Sequence, residues 1–96
     1  MRTAVVTGAA QGLGLETATV LARQGYEVVL TDVQPLDAAV ARLADVGLKA
    51  RGIVGDVASE EFVESLAARI AADYGAADAL VNNSGVYEFA PLEAIN

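Results

Sequence analysis

Short apolar runs alternate along this chain with longer stretches in which apolar residues recur every three or four positions. The short runs are rich in valine, leucine and threonine, which is typical of strands buried on both faces of a sheet. The longer stretches have the spacing of amphipathic helices. The pattern predicts strands at residues 3–7 and 27–32 and within residues 49–57 and 78–85, and helices over residues 13–24, 35–47 and 59–74.

The helices are identified by apolar residues at helical spacing and by the residues at their ends. The apolar sets are Leu13, Thr17, Val20 and Leu21 in the first helix, Leu36, Val40 and Leu43 in the second, and Phe62, Leu66 and Ile70 in the third. Pro35 suits the first turn of the second helix. Ser59 is a good N-cap for the third, followed by Glu60 and Glu61 where the helix dipole favours anions. Pro91 predicts the start of a further helix.

The alternation of strands and helices predicts the class of fold. Such an order favours a parallel sheet joined by right-handed crossovers, with helices on both faces. A length of 96 residues is enough for one such domain. We therefore predict a single doubly wound α/β unit over residues 1–96. In such a sheet the loops that follow the strands meet at the carboxyl edge, where ligands bind.

The charge and the missing residue types exclude several classes of function. The net charge of −7 argues against binding to nucleic acid or to an anionic membrane. The absence of cysteine and histidine excludes disulfides and thiolate nucleophiles and argues against a metal site. No apolar run reaches membrane-spanning length, and a strand begins directly after the amino terminus, so we expect neither a membrane segment nor a signal peptide. We expect a cytoplasmic protein.

The turn between the first strand and the first helix, TGAAQGLG at residues 7–14, contains Gly8, Gly12 and Gly14. A helix that begins at such a turn presents free backbone N–H groups and a partial positive charge, which suit a phosphate group. The glycines keep side chains out of the approach or the packing. The spacing G-x3-G-x-G differs from the G-x-G-x-x-G fingerprint, and no lysine follows as a P-loop requires. A glycine-rich turn without a ligand is the alternative interpretation.

Asp32 ends the second strand, 18 residues after Gly14. Dinucleotide sites place an acidic residue there, where it accepts hydrogen bonds from the adenosine ribose. The alternative is an aspartate that only caps a turn. A free carboxylate would repel the 2′-phosphate of NADP, and neither Gln11 nor Val33 supplies a compensating cation. The sequence therefore predicts NAD as the cofactor, with NADP less favoured.

Two motifs together resemble those of the short-chain dehydrogenase/reductase family. That family carries T-G-x-x-x-G-x-G after its first strand and N-N-A-G after its fourth, and this chain has TGAAQGLG at residues 7–14 and NNSG at residues 82–85. GDV at residues 55–57 is similar to the family's D-V pair after its third strand. The resemblance covers the whole chain but only the N-terminal, cofactor-binding part of the family fold. It implies a Rossmann-type sheet with the strand order 3-2-1-4.

The resemblance also implies cofactor contacts at the ends of all four strands. The glycine turn would surround the pyrophosphate, Asp32 would bind the adenosine ribose, and Asp56 would reach the adenine amino group, while Asn82 would tie the central strands together. The implied cofactor-binding residues are Gly8, Gln11, Gly12, Leu13, Gly14, Asp32, Val33, Asp56, Val57, Asn83, Ser84 and Gly85. Asp56 has an alternative role as a turn residue before the third helix, and Gly85 as a residue that only turns the chain. Ser84 stands where the family usually has alanine, and its small hydroxyl should not disturb the site.

The catalytic residues of the family are not found in these 96 residues. The family uses a serine and a Tyr-x-x-x-Lys pair on a later strand and helix. Four positions beyond Tyr26, Tyr74 and Tyr87 stand Leu30, Asp78 and Pro91, and the only lysine is Lys49. We therefore expect this sequence to be the dinucleotide-binding part of a longer enzyme, with no catalytic residue of its own.

The resemblance favours one function over two alternatives. It implies an NAD-dependent oxidoreductase that interconverts hydroxyl and ketone groups of a small molecule and that forms a homo-oligomer when complete. The first alternative is a binding module that holds a dinucleotide without catalysis. The second is a methyltransferase-like domain that holds S-adenosylmethionine, which also uses a glycine turn and an acid after the second strand. NNSG and the T-G opening argue against this second alternative.

Overall fold

Four strands and three helices alternate along residues 2–83, the part of the chain that the computed structural model describes. The strands are β1 (Thr3–Thr7), β2 (Glu27–Asp32), β3 (Ala50–Val54) and β4 (Ala79–Asn82), and the helices are α1 (Gly12–Arg23), α2 (Asp37–Asp45) and α3 (Glu60–Tyr74). The predictions for β1 and β2 are confirmed with the same bounds. The helix predicted to begin near Pro91 lies outside the described residues.

The strands form one parallel sheet in the order β3-β2-β1-β4, which confirms the predicted topology. Strand β1 lies between β2 and β4, with Val5 paired to Val29 on one side and to Leu80 on the other. All five residues of β1 are buried. Because the strands are parallel, their carboxyl ends share one edge of the sheet, and the turns after β1, β2 and β3 leave from that edge.

Helices cover both faces of the sheet, as predicted for a doubly wound fold. On one face, α1 and α2 pack over a core that includes Val6, Leu30 and Leu43. On the other face, α3 packs over a smaller core that includes Val29 and Ile53. The sheet is thus a central layer in which the apolar residues of β1 and β2 are buried from both sides, while Val54 of β3 and Leu80 of β4 are exposed.

The residues that α1 buries are not the apolar residues from which the helix was predicted. Leu13 is 69% exposed and Val20 is 53% exposed. The buried residues of α1 are Gly14, Leu15, Ala18 and Ala22. Small side chains allow the helix axis to come close to the sheet, and Leu13 and Val20 then fall outside the contact.

The start of α3 is as predicted, and the start of α2 is not. The Ser59 hydroxyl oxygen accepts a hydrogen bond from the Phe62 N–H at 3.2 Å, which is the predicted N-cap. Pro35 lies before α2 rather than in its first turn. The carboxylate of Asp32 accepts a hydrogen bond from the Gln34 N–H at 3.1 Å and so holds a turn there. The helix begins after Leu36.

An ion pair ties the edge strand β3 to the last turn of α3. The Arg51 guanidinium donates a hydrogen bond to the Asp73 carboxylate. This bond, together with a hydrogen bond to Tyr74, raises the pKa of Arg51 above its usual value. The pair lies on the surface and away from the carboxyl edge of β1 and β2, so it belongs to the packing of the sheet edge.

Candidate functional site

The glycine turn after β1 is folded against the end of β2. Gly8 has a φ of 63° and Gly12 a φ of 62°, in the left-handed region that favours glycine. Between them, the Ala9 N–H donates to the Thr31 carbonyl oxygen at 3.2 Å. The Ala10 N–H donates to the Asp32 carboxylate at 2.9 Å. The turn is therefore held by one backbone contact and one side-chain contact with the neighbouring strand.

Gly12 and Gly14 serve different purposes in this turn. A Cβ on Gly14 would lie 2.0 Å from the carbonyl oxygen of Gly8 and 2.7 Å from its carbonyl carbon. Gly14 is therefore required for close packing of α1 against the turn. A Cβ on Gly12 would meet no atom within 4 Å, so the space beside it is open to a ligand.

The amino-terminal end of α1 is left free of the groups that neutralise the other two helices. Its N-cap is Gln11, whose side chain makes no capping hydrogen bond, and its first turn holds no acidic residue. In contrast, α2 has Asp37 in its first turn, and α3 has both a serine cap and two glutamates. Gln11, Gly12 and Leu13 are exposed. The N–H groups and the positive end of the α1 dipole are thus available to an anion.

Asp32 connects the three turns that surround the site. Its carboxylate accepts hydrogen bonds from the Ala10 N–H and the Gln34 N–H, and its carbonyl oxygen accepts one from the Gly55 N–H at 2.9 Å. Asp32 therefore does cap a turn, as the alternative interpretation held. It can still bind a ligand, because a carboxylate has about four acceptor positions and these two N–H donors occupy only two of them.

A pocket of about 260 Å³ lies beside Asp32 at the carboxyl edge of the sheet. It is lined by Gly8, Thr31, Asp32, Val33, Gly55, Asp56 and Val57. The structure therefore brings together five of the residues that the sequence singled out. Thr31 and Gly55 also line the pocket although no sequence motif pointed to them as cofactor contacts, and each adjoins a predicted contact residue. The 60% exposure of Val33 leaves an apolar surface at the rim.

The third turn of the site begins at Gly55. A Cβ on Gly55 would lie 2.0 Å from the Phe62 ring, so the turn rests directly on this aromatic side chain of α3. Asp56 then accepts a hydrogen bond from the Ala58 N–H at 2.8 Å through its carboxylate. Asp56 is thus a turn residue, as the alternative interpretation held, and its exposed side chain also lines the pocket.

The end of β4 is joined to β1 by side-chain hydrogen bonds. The Thr7 hydroxyl donates to the Asn82 side-chain oxygen at 2.8 Å and accepts from the Asn83 N–H at 3.0 Å. Asn82 therefore ties the central strands as predicted. Within residues 2–83, the side-chain nitrogen of Asn83 is buried without a hydrogen-bond partner. Ser84 and Gly85, the last two predicted contacts, lie outside the described residues.

A known protein family and known relatives match this sequence along nearly its whole length. The sequence profile of a family described as short chain dehydrogenase matches residues 2–96. The chain is 45% identical over 97 residues to cis-4-hydroxycyclohexanecarboxylate dehydrogenase of Sinomonas cyclohexanicum, covering 99% of this chain and 39% of that protein. It is 45% identical over 92 residues to gluconate 5-dehydrogenase of Gluconobacter oxydans, covering 94% of this chain and 36% of that protein.

A solved structure shows the same fold. The crystal structure of a metagenomic short-chain oxidoreductase in complex with NADP superposes with a TM-score of 0.81 at 37% identity. The match covers 88% of this chain and 39% of that one. The chain thus spans about two fifths of the length of these relatives.

Proposed function

The chain belongs to the short-chain dehydrogenase/reductase family, and from this premise we propose that the protein is an NAD-dependent oxidoreductase that interconverts a hydroxyl and a ketone. In this proposal residues 1–96 form one dinucleotide-binding Rossmann unit, the N-terminal part of a longer domain. The observation that carries the proposal is the hydrogen bond between Asp32 and the glycine turn at Ala10. It places an acidic side chain and an uncapped helix terminus at the same edge of the sheet.

The residues present fit the parts of a dinucleotide. The pyrophosphate would bind at the start of α1, where Gly12 leaves open space and Gln11 and Leu13 are exposed. The adenosine ribose would bind to the free acceptor positions of Asp32. The adenine would bind in the pocket between Val33, Asp56 and Val57, and Asn83, Ser84 and Gly85 would lie along the rest of the cofactor. When bound, the cofactor supplies a nicotinamide ring that accepts or gives a hydride, and the residues of this segment bind and orient it.

The charge of the pocket favours NAD over NADP. Of the residues that line it, Asp32 and Asp56 carry carboxylates and none carries a cation. A 2′-phosphate on the ribose would therefore face negative charge without a partner. The metagenomic neighbour was solved with NADP, so both cofactors belong in the test.

Replacing Asp32 with alanine should weaken NAD binding by roughly 10- to 150-fold, because a hydrogen bond to a charged group contributes about 1.5–3 kcal/mol. The measurement is calorimetric titration of the full-length protein with NAD and with NADP. Asp45→Ala, an exposed aspartate at the far end of α2, is the control and should leave both affinities unchanged. Tighter binding of NADP than of NAD by the unsubstituted protein would show that the cofactor assignment is wrong.

An enzyme is favoured over a binding module because the relatives are named dehydrogenases. Both names denote hydroxylated compounds, which supports a hydroxyl or ketone substrate. Membership of the family removes the methyltransferase-like alternative. A non-catalytic dinucleotide-binding module is still the second candidate, because Lys49 is the only lysine in the sequence and follows no tyrosine at the family spacing. A coding sequence that carries the family's serine and Tyr-x-x-x-Lys would decide for the enzyme.

The expected partners are the dinucleotide, a small alcohol or ketone, and further copies of the chain. Homo-oligomerisation, a cytoplasmic location and the lack of nucleic-acid or membrane binding stay predictions from the sequence. Within residues 2–83, no helix is both long enough and apolar enough to cross a membrane. In the same part of the chain, no three His, Cys, Asp or Glu side chains are grouped as metal ligands would be.

A further inference from the structure

Within residues 2–83, one side chain, that of Asp32, hydrogen-bonds the glycine turn. The Ala9 N–H is held by the Thr31 carbonyl oxygen, a backbone contact that no side-chain substitution removes directly. The Ala10 N–H is held by the Asp32 carboxylate at 2.9 Å. Between Gly8 and Gly12, both in left-handed conformations, Ala9 is buried in the core and Ala10 packs against it, so the N–H of Ala10 is held beside the end of β2. Asp32 thus supplies one of the two hydrogen bonds that fold this turn onto β2.

The same carboxylate also fixes the turn that follows β2. It accepts the Gln34 N–H at 3.1 Å, while the carbonyl oxygen of Asp32 accepts the Gly55 N–H at 2.9 Å. One residue therefore sets the relative positions of the turns after β1, β2 and β3. Asp32 itself is held in β2 by parallel pairing with Val54 of β3. The sheet therefore fixes the position of Asp32, and the hydrogen bonds of Asp32 in turn fix the positions of the turns.

We infer that Asp32 is a positioning residue for the phosphate-binding turn, in addition to the ribose contact assigned to it above. Its carboxylate accepts the Ala10 N–H and so keeps the start of α1 in a shape that can accept a pyrophosphate. The effect on affinity rests on the proposed dinucleotide function, whereas the effect on the turn does not. Loss of the carboxylate should therefore weaken even a ligand that has no ribose hydroxyl for it to bind.

The first experiment measures the turn in the full-length protein without ligand. Amide hydrogen exchange, detected residue by residue by NMR, should be roughly 10- to 150-fold faster at Ala10 in Asp32→Ala than in the unsubstituted protein. Asp32→Asn keeps one acceptor oxygen and should accelerate exchange at Ala10 less. Asp56→Ala is the matched control, because Asp56 lines the same pocket and bonds the Ala58 N–H but not the glycine turn. It should speed exchange at Ala58 and leave Ala10 unchanged.

The second experiment separates positioning from ribose recognition. The probe is an NAD analogue whose adenosine ribose lacks both hydroxyls. A ribose contact alone predicts that the unsubstituted protein and Asp32→Ala bind this analogue equally well. Positioning predicts that Asp32→Ala binds it at least about 10-fold more weakly, with Asp32→Asn in between.

The outcomes distinguish this inference from the proposed function. Unchanged exchange at Ala10 in Asp32→Ala, or unchanged affinity for the analogue, would overturn the positioning role even if NAD binds as proposed. Faster exchange at Ala10 in a protein that binds no dinucleotide would support the role in the turn and overturn the proposed function. Faster exchange with weaker binding of the analogue supports both.

Discussion

Replacing Gly14 with alanine should unfold the protein or abolish dinucleotide binding, although alanine is the better helix former. Alanine in a helix is favoured over glycine by about 1 kcal/mol. The added Cβ, however, would lie 2.0 Å from the carbonyl oxygen of Gly8. A side chain could relieve this clash by changing its rotamer, but the backbone of Gly8 cannot. Helix α1 must therefore shift away from the glycine turn. We expect a loss of about 3 kcal/mol or more in the free energy of unfolding, at or beyond the upper end of ordinary overpacking.

The control for this substitution is Gly25→Ala, which follows α1 at the opposite edge of the sheet. A Cβ there would meet no atom within 4 Å, but the φ of 96° lies where side chains are strained. The control should cost about 1–2 kcal/mol and leave NAD affinity unchanged. Urea denaturation and cofactor titration of both variants check the prediction. Gly14→Ala with unchanged stability and affinity would mean that α1 does not pack on the turn as described.

A polypeptide confined to residues 1–96 should show no measurable oxidation of secondary alcohols with NAD. A positioned proton-transfer group typically contributes 10²–10⁴-fold to the rate. Histidine and cysteine are absent from the sequence. Lys49 precedes β3 and Tyr26 precedes β2, so both lie at the amino edge, away from the glycine turn. Tyr26 is further covered by the Arg2 guanidinium, 4.4 Å from its ring centre.

The measurement is NADH absorbance with a panel of secondary alcohols. A continuation that carries the family's serine and Tyr-x-x-x-Lys should restore turnover, whether it is supplied in the same chain or as a second one. Tyr74 ends α3 before β4 begins and so also lies on the amino side of the sheet. Tyr87 follows the fourth strand and is the remaining tyrosine, but no lysine stands four positions beyond it. Turnover by residues 1–96 that Tyr87→Phe abolishes would show that the segment is catalytically complete.

Elements with a strong local signal could be predicted from the sequence. Runs of β-branched residues gave β1 and β2 with the observed bounds, and Ser59 gave the start of α3. The apolar spacing gave the existence of α1 but not its buried face. Packing there depends on small residues such as Ala18 and Ala22, which a search for large apolar side chains passes over.

The part of the candidate site that is formed by characteristic side chains could be predicted from the sequence. Asp32 ends β2 and Asp56 lies in the turn after β3, and parallel pairing brings the ends of these strands to one edge. The contact between Asp32 and Ala10 could not be predicted, because it uses a backbone N–H that every residue except proline carries. The turn before α2 could not be predicted for the same reason, because it is held by the bond between Asp32 and the Gln34 N–H.

The strand order has a consequence for synthesis of the chain. Strand β1 is made first, yet one of its two partners, β4, begins at Ala79, 47 residues after β2 ends at Asp32 (79 − 32). A ribosome adding roughly 5–20 residues per second needs about 2–10 s for that interval. Until β4 emerges, β1 can pair only with β2, and its other edge lacks the strand that completes the ladder. Of the two internal strands of the described sheet, β1 is therefore synthesised first and gains its second neighbour last.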